Sequence, residues 1–562
     1  MKKYFLINRK KFIIYMLLSP AMSLSSVLFA SVLEPLVTVA TQGNLKLMLK
    51  TIAMFVIIVI VDMYVSYLHK ISRENLRKDF LINLKSDLFT GIMSESFQEY
   101  RKEPTSYYIS MMQRDVKKIS TDYFDSVCGI YRVTTSFIIT VIALIKVNPI
   151  ICFINVVIAM LSVFIPRVFQ GKLKKNSTQA TNAASEYQSV ISDALIGFNT
   201  IKLYSVFSKI KKQTDERNIA SEEAECNLIK TNYRVSYMSI ICTEIGFVMT
   251  IVSSAVFVYL GKINIGAILA VSQLIGGILA PFQEIPIFIT NLKSVSVVTD
   301  KIKKYLIEKV DVTTEIKPLD DDFSLSVENV QVNFDEKRAL EEIDIKFEPG
   351  KKYIIMGESG CGKSTLVKLF IKMVKCSKGR VMLGRKNINE IPDDQLYSVV
   401  NYMQQEVFLF DDTIRNNITL YKEYSEEAIK NAIESAGLTE YIGSLDEGID
   451  TKINGNGYNL SGGEKQRIGI ARALIAGAKI FIFDEITSNL DTSKERYIED
   501  LILRLSGVTV IMITHRINDI TLNQADEIVV MKNGTISEQG KYSELLKSKG
   551  LLYGYRMINS VA

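Results

Sequence analysis

Six apolar runs of membrane-spanning length fill the first half of this chain, at about 13–40, 51–68, 128–147, 149–166, 238–260 and 264–290. Roughly 20 apolar residues in an α-helix cross a bilayer, where each backbone N–H and C=O must find its partner within the helix. Residues 1–310 are therefore expected to form an α-helical membrane domain of six spans. The composition fits this only if apolar and charged residues are segregated. Hydrophobic residues make up 48 % and mean hydropathy is +0.16, yet 23 % of residues are charged. Such a chain is neither disordered nor wholly water-soluble. A net charge of +6 over 562 residues is no argument for nucleic-acid binding.

The links between spans alternate in character. Those around 41–46, 147–148 and 261–264 are tiny, whereas 69–127 and 167–237 are long and basic, with Lys70, Arg73, Arg77, Lys78 and Lys85 in one and Lys172, Lys174, Lys175, Lys211 and Lys212 in the other. Lys/Arg excess marks the cytoplasmic side, so the long links and both termini are expected there. The first run follows a basic start resembling a signal peptide, but it is too long and lacks a cleavage site. It reads as a retained span with no domain ahead of it. Phe80, Leu84, Leu88 and Ile92 recur at helical spacing, as do Val190, Ala194 and Ile201, which predicts that the spans continue into the cytoplasm as helical hairpins. Six scattered cysteines without a CxxC, and only His69 and His515, argue against a disulfide framework and a His-built metal site. His69 is expected to be structural.

After a linker at 311–322 the pattern changes. Short β-rich runs (KYIIMG, VVNYMQ, KIFIFD, TVIMIT) alternate with helical stretches, predicting an α/β domain over 323–562 with a largely parallel sheet and a final hairpin turning at Asn533-Gly534. Gly357, Glu358, Ser359, Gly360, Cys361, Gly362, Lys363 and Ser364 fit G-x-x-x-x-G-K-S between a strand and a helix, with Thr365 next. Backbone N–H groups of such a loop surround phosphate oxygens, the lysine reaches the β/γ-phosphates and the serine ligates Mg²⁺. The apolar run 479–485 ends in Asp484 and Glu485 at the carboxyl edge of the sheet, where ligands bind. Asp484 is the expected Mg²⁺ ligand and Glu485 the group that orients or deprotonates the attacking water. Ser461, Gly462, Gly463 and Glu464 open a helix with a capping serine, a second anion-binding helix start. Cys361 reads as a spectator whose modification by thiol reagents is expected to block nucleotide binding by bulk.

LSGGEKQR matches the signature of the ATP-binding-cassette (ABC) ATPases, and the whole chain resembles an ABC exporter half-transporter: six spans with two cytoplasmic hairpins, fused to an α/β P-loop ATPase. The resemblance implies ATP and Mg²⁺ as cofactors and a second half-transporter as partner, a homodimer or a heterodimer. Each ATP then lies between the phosphate loop of one subunit and the signature of the other. It implies that Gln405 senses Mg²⁺, that Asp491 lies in the D-loop 488–491, that His515 contacts the γ-phosphate, and that Phe334 stacks on adenine. The stretches 105–119 and 191–204 resemble those around the two coupling helices. One position departs from the family: Gly455 stands where exporters usually have a Glu that approaches the partner's coupling helices, so nucleotide chemistry is expected to survive while coupling differs.

The resemblance implies ATP-driven export across a bacterial cell membrane by alternating access. The expected substrate is a bacteriocin- or lantibiotic-like peptide or an amphipathic compound, with lipid or multidrug export as the alternative; a non-transporting sensor or channel shares every motif. Six spans argue against an ABC ATPase acting on DNA or ribosomes. Asp62, Glu244 and Glu284 within spans, with Arg132 and Lys146 nearer helix ends, are candidates for the substrate cavity. An acidic cavity would favour a cationic amphipathic substrate, such as a peptide or a lipophilic cation. The alternative for each acid is an intramembrane hydrogen bond or a basic partner.

Overall fold

A computed structural model describes the chain except for residues 43–44, 163, 307–321, 335–336, 405, 456, 458, 487–491 and 562. It divides into two units: Met1–Glu95 with Glu103–Val310, and Ser96–Lys102 with Asp311–Ala562. The second unit thus takes a short piece of the first long link, lying just before the stretch 105–119 expected to hold the coupling segment. Most of the linker 311–322 lies outside the described residues.

The first unit is helical. Its helices Arg9–Gln42, Leu45–Met93, Asp125–Val147, Pro149–Ser162, Phe207–Tyr259 and Ala267–Lys303 carry the six apolar runs, the fourth run reaching on into Phe164–Ile196. Among the described residues, the stretches Arg9–Ala40, Leu45–Met93, Thr105–Val147 and Ala267–Lys303 are long and apolar enough to cross a membrane; Pro149–Met160 and Glu244–Tyr259 are shorter apolar helices. At 1.5 Å per residue, Leu45–Met93 is about 70 Å long, over twice the hydrocarbon thickness, so its polar half must extend beyond it.

Local sequence explains the ends of these helices. Asn148 takes extended backbone after Val147, and its side-chain oxygen accepts the N–H of Ile150 at 2.9 Å, capping the helix that Pro149 opens. Gly261, at φ 66°, ends Phe207–Tyr259; Lys262 N–H bonds Phe257 O and Gly261 N–H bonds Val258 O, the Schellman pattern. The row expected on the first hairpin is buried: Phe80, Leu84 and Leu88 are fully enclosed, with Phe80 against the rings of Phe5 and Phe124. Val190, Ala194 and Ile201 are only half-buried. His69 stacks on Tyr15 at 5.1 Å and bonds Ser19 Oγ at 2.9 Å, which fits its structural reading.

The acidic-cavity expectation changes here. Glu284 pairs with Arg132 at 2.5 Å, and Asp62 accepts hydrogen bonds from Ser25 at 2.6 Å and Ser26 at 3.3 Å. Both carboxylates are satisfied within the protein, as the low dielectric around spans demands. Glu244 is exposed.

In the second unit the strands are β1 Leu325–Phe334, β2 Lys337–Phe347, β3 Lys352–Gly357, β4 Lys378–Leu383, β5 Lys386–Asn387, β6 Val400–Met403, β7 Ile480–Asp484, β8 Thr509–Ile513, β9 Glu527–Lys532 and β10 Thr535–Gly540. Among the described residues they form a four-stranded antiparallel sheet, β2-β1-β4-β5, and a six-stranded sheet, β10-β9-β3-β8-β7-β6. In the second sheet β9, β3, β8, β7 and β6 run parallel, and β10 returns on β9 through a turn with Asn533 at φ 49° and Gly534 at φ 80°. β7 and β8 are buried along their whole length, which explains their unbroken apolar runs.

Candidate functional site

β3, β8 and β7 are neighbours, so their carboxyl ends bring three loops together at one edge of the sheet. β3 runs into the phosphate loop, and Gly357, Gly360 and Gly362 take φ 148°, 82° and 107°. A Cβ on Gly357 would lie 2.3 Å from Met531 O, and one on Gly362 2.7 Å from Ala339 O, so both glycines are sterically required. Gly362 caps the helix Lys363–Leu369, aiming its free N–H groups at the loop's interior. Lys363 is 3 % exposed, and its Nζ donates to Gly357 O at 3.0 Å and Glu358 O at 2.9 Å. Glu358 and Ser359 are exposed, and Thr365 is half-buried. Cys361 is 6 % exposed and belongs to the core beneath the loop, leaving thiol reagents little access; that expectation is corrected by its burial.

Asp484, at the end of β7, is buried and held from two sides. Ser364 Oγ donates to Oδ1 at 2.8 Å and Tyr402 Oη to Oδ2 at 2.7 Å. Burial, then the Asp484 charge, holds the Tyr402 hydroxyl above its usual range, so it remains a neutral donor. Tyr402 escaped notice in the sequence because a tyrosine in an apolar strand reads as ordinary β-propensity. Glu485 follows in the left-handed region at φ 54°, and its Oε1 lies 2.5 Å from His515 Nε2, just beyond β8. Arg516 pairs with Glu495, which is 4 % exposed on the helix Thr492–Leu503. The sequence reading did not single out either residue.

Ser461 caps the helix Gly462–Ile475 in a reciprocal box: Glu464 N–H donates to Ser461 Oγ at 3.4 Å, and Ser461 N–H to Glu464 Oε2 at 2.8 Å. These bonds stay within the helix start. Gln466, buried one turn on, donates to Ile486 O beside Glu485. Phe334 ends β1 with half its surface open. Gly455 takes φ 54°, a conformation a glutamate would adopt only with strain. Gln405 and Asp491 lie outside the described residues. A hydroxyl and a carboxylate 2.8 Å apart are hard oxygen donors of the kind Mg²⁺ takes when phosphates complete its shell.

Residues 12–282 match the ABC transporter transmembrane region, and 340–488 match the ABC transporter family. The chain is 26 % identical over 502 residues to YgaD of Bacillus subtilis (strain 168), a protein named for multidrug export, with 88 % of this chain and 86 % of that one covered. It is 26 % identical over 488 residues to an ATP-dependent lipid A-core flippase of Bordetella avium (strain 197N), covering 84 % and 80 %. In fold it matches the structure of a bacterial Atm1-family ABC exporter with ATP bound, with a TM-score of 0.82, 21 % identity and 98 % of each chain covered. With helical spans fused to a phosphate-loop ATPase, the chain belongs to the ABC transporter family as a half-transporter exporter driven by ATP hydrolysis.

Proposed function

We propose that two copies of this chain pair in a bacterial cell membrane and expel an amphipathic substrate, lipid- or drug-like, using ATP and Mg²⁺. The observation that carries this reading is the cluster Lys363, Ser364, Asp484, Glu485 and His515 at one edge of a parallel sheet, in a chain that also supplies its own spans. Lys363 exchanges its loop carbonyls for the β/γ-phosphates. Ser364 and Asp484 hold Mg²⁺, which neutralises charge on the phosphates when bound. Glu485 orients the attacking water, and His515, held against it, contacts the γ-phosphate. Phe334 offers a face to adenine. Ser461, Gly462, Gly463 and Glu464 serve the other subunit's ATP, Gln405 senses Mg²⁺, and Asp491 belongs to the D-loop. The charge on Lys3 and Lys11 is matched by Asp87 and Asp79 on the polar half of Leu45–Met93, which supports a cytoplasmic N-terminus.

An amphiphile is favoured over a cationic peptide because Asp62 and Glu284 already have partners, and the relatives above are named for multidrug export and for lipid A-core flipping. The test is ATP-dependent uptake into inside-out proteoliposomes, with a labelled lipid, a lipophilic dye and a cationic peptide, and Glu485→Gln as the inactive control. Uptake of lipid or dye that vanishes in the control supports the reading. Uptake of the peptide alone overturns the substrate class. Brisk ATP hydrolysis with no uptake of any of the three counts against export by a homodimer.

A further inference from the structure

Asp484 has neutral donors on both carboxylate oxygens. Ser364 belongs to the nucleotide loop, but Tyr402 has no part in the proposed chemistry. Tyr402 stands on β6 opposite Ile482 of β7, two positions before Asp484, and its hydroxyl reaches Oδ2 from the side away from the phosphate loop. With Asp484 only 7 % exposed, water is a poor substitute for that donor. A carboxylate that ligates a cation through one oxygen is oriented by whatever hydrogen-bonds the other.

Ser96–Lys102 folds with the ATPase unit. Ser96 caps its short helix Phe97–Tyr100, Phe97 meets the ring of Tyr397 edge-on at 5.9 Å, and Gln98 donates to Lys372 O at 3.4 Å. Tyr397 lies on the helix Asp393–Val399 that leads straight into β6, so the segment docks beside the strand of Tyr402, and the Arg101 charge acts on that phenol. The Tyr402 hydroxyl therefore joins the carboxylate at the end of β7 to a strand beside which a segment of the first long link docks.

We propose that Tyr402 is a positioning residue for Asp484, and that Ser96–Lys102 bears on the cation site through it. The proposal rests on the assignment of Asp484 to Mg²⁺ made above. A shift of the segment along β6 turns the Tyr402 hydroxyl, and with it the plane of the Asp484 carboxylate. Nucleotide binding without a divalent cation does not feel the change.

The test uses the full-length Glu485→Gln protein with ATP, and Mn²⁺ in place of Mg²⁺, titrated by electron paramagnetic resonance. Asp484→Asn checks the underlying assignment: it abolishes site-bound Mn²⁺, and if Mn²⁺ still binds, both the assignment and the proposal fall. Tyr402→Phe weakens Mn²⁺ about tenfold and leaves ATP affinity in EDTA unchanged. Arg101→Ala, an exposed change that leaves the core intact, weakens Mn²⁺ about threefold. It adds nothing when combined with Tyr402→Phe, because both act through one hydroxyl. Unaltered Mn²⁺ affinity in Tyr402→Phe, with Asp484→Asn inactive, overturns the positioning role while sparing the assignment. Full additivity of the two variants overturns the link to Ser96–Lys102.

Discussion

Gly362 shows how little freedom single positions of the site have. Its φ of 107° and the closeness of Ala339 O leave no room for a methyl group. Gly362→Ala is expected to cost about 1–3 kcal/mol of local strain and to lower ATP affinity at least tenfold, read by nucleotide-binding fluorescence alongside thermal melting. Glu499 illustrates a different constraint. It is 3 % exposed and accepts a bond from Thr521 Oγ1 at 2.9 Å. Burial raises its pKa above the usual carboxylate range, the Thr521 bond opposes the rise, and the nearby Glu495 charge adds to it. The folded state thus holds this proton more tightly than the unfolded chain. Its contribution to stability is full below the ordinary carboxylate value and declines as pH rises through the raised one. Glu499→Gln, which keeps an acceptor for Thr521, is expected to raise the melting temperature at pH 8 and leave it unchanged near pH 4; equal shifts at both would contradict this account.

Among the elements, the end of the second hairpin is the most conspicuous. Leu195, Ile196, Phe198, Leu203, Tyr204 and Phe207 are all exposed around the short helix Phe198–Leu203, with Ile196 at 84 % and Leu203 at 81 %. So many large apolar side chains exposed on a polar hairpin mark it as an interaction surface. Leu203→Ser with Tyr204→Ser is expected to leave ATP binding intact and cut transport per ATP hydrolysed about tenfold or more, measured in proteoliposomes with hydrolysis and uptake followed together. Undiminished coupling would remove the hairpin end from the pathway. The helical rows that build these hairpins were legible as i, i+4 patterns, since Phe80, Leu84 and Leu88 interact across single turns. The excursion of Ser96–Lys102 into the ATPase unit was not, because no local period encodes a docking partner.

For the transporter as an assembly, the Ser461–Glu464 box closes on its own helix start. A pair of chains completes the site in the proposed reading, and symmetry then gives two equivalent sites. Equal mixing of wild-type and Glu485→Gln protein before reconstitution discriminates between modes of action. If one inactive site stalls both, activity falls to about a quarter; if the sites act independently, to about a half. Subunits that do not exchange also leave about a half, so exchange is verified first by co-purifying two differently tagged copies.

The long apolar helices and the phosphate loop could be read directly from the amino acids because each is a local affair. A span is satisfied by bonds four residues apart, and the phosphate-loop motif is contiguous. The partners of Asp62 and Glu284 could not be read that way, and neither could Tyr402 behind Asp484. Ser364 and Tyr402 are separated from Asp484 by 120 and 82 positions in the chain. They meet because the strand order sets β7 between β8 and β6 and within one strand of β3, and that order is a property of the packed sheet. A buried carboxylate needs donors on both oxygens, but which donors it receives depends on which strands lie alongside it.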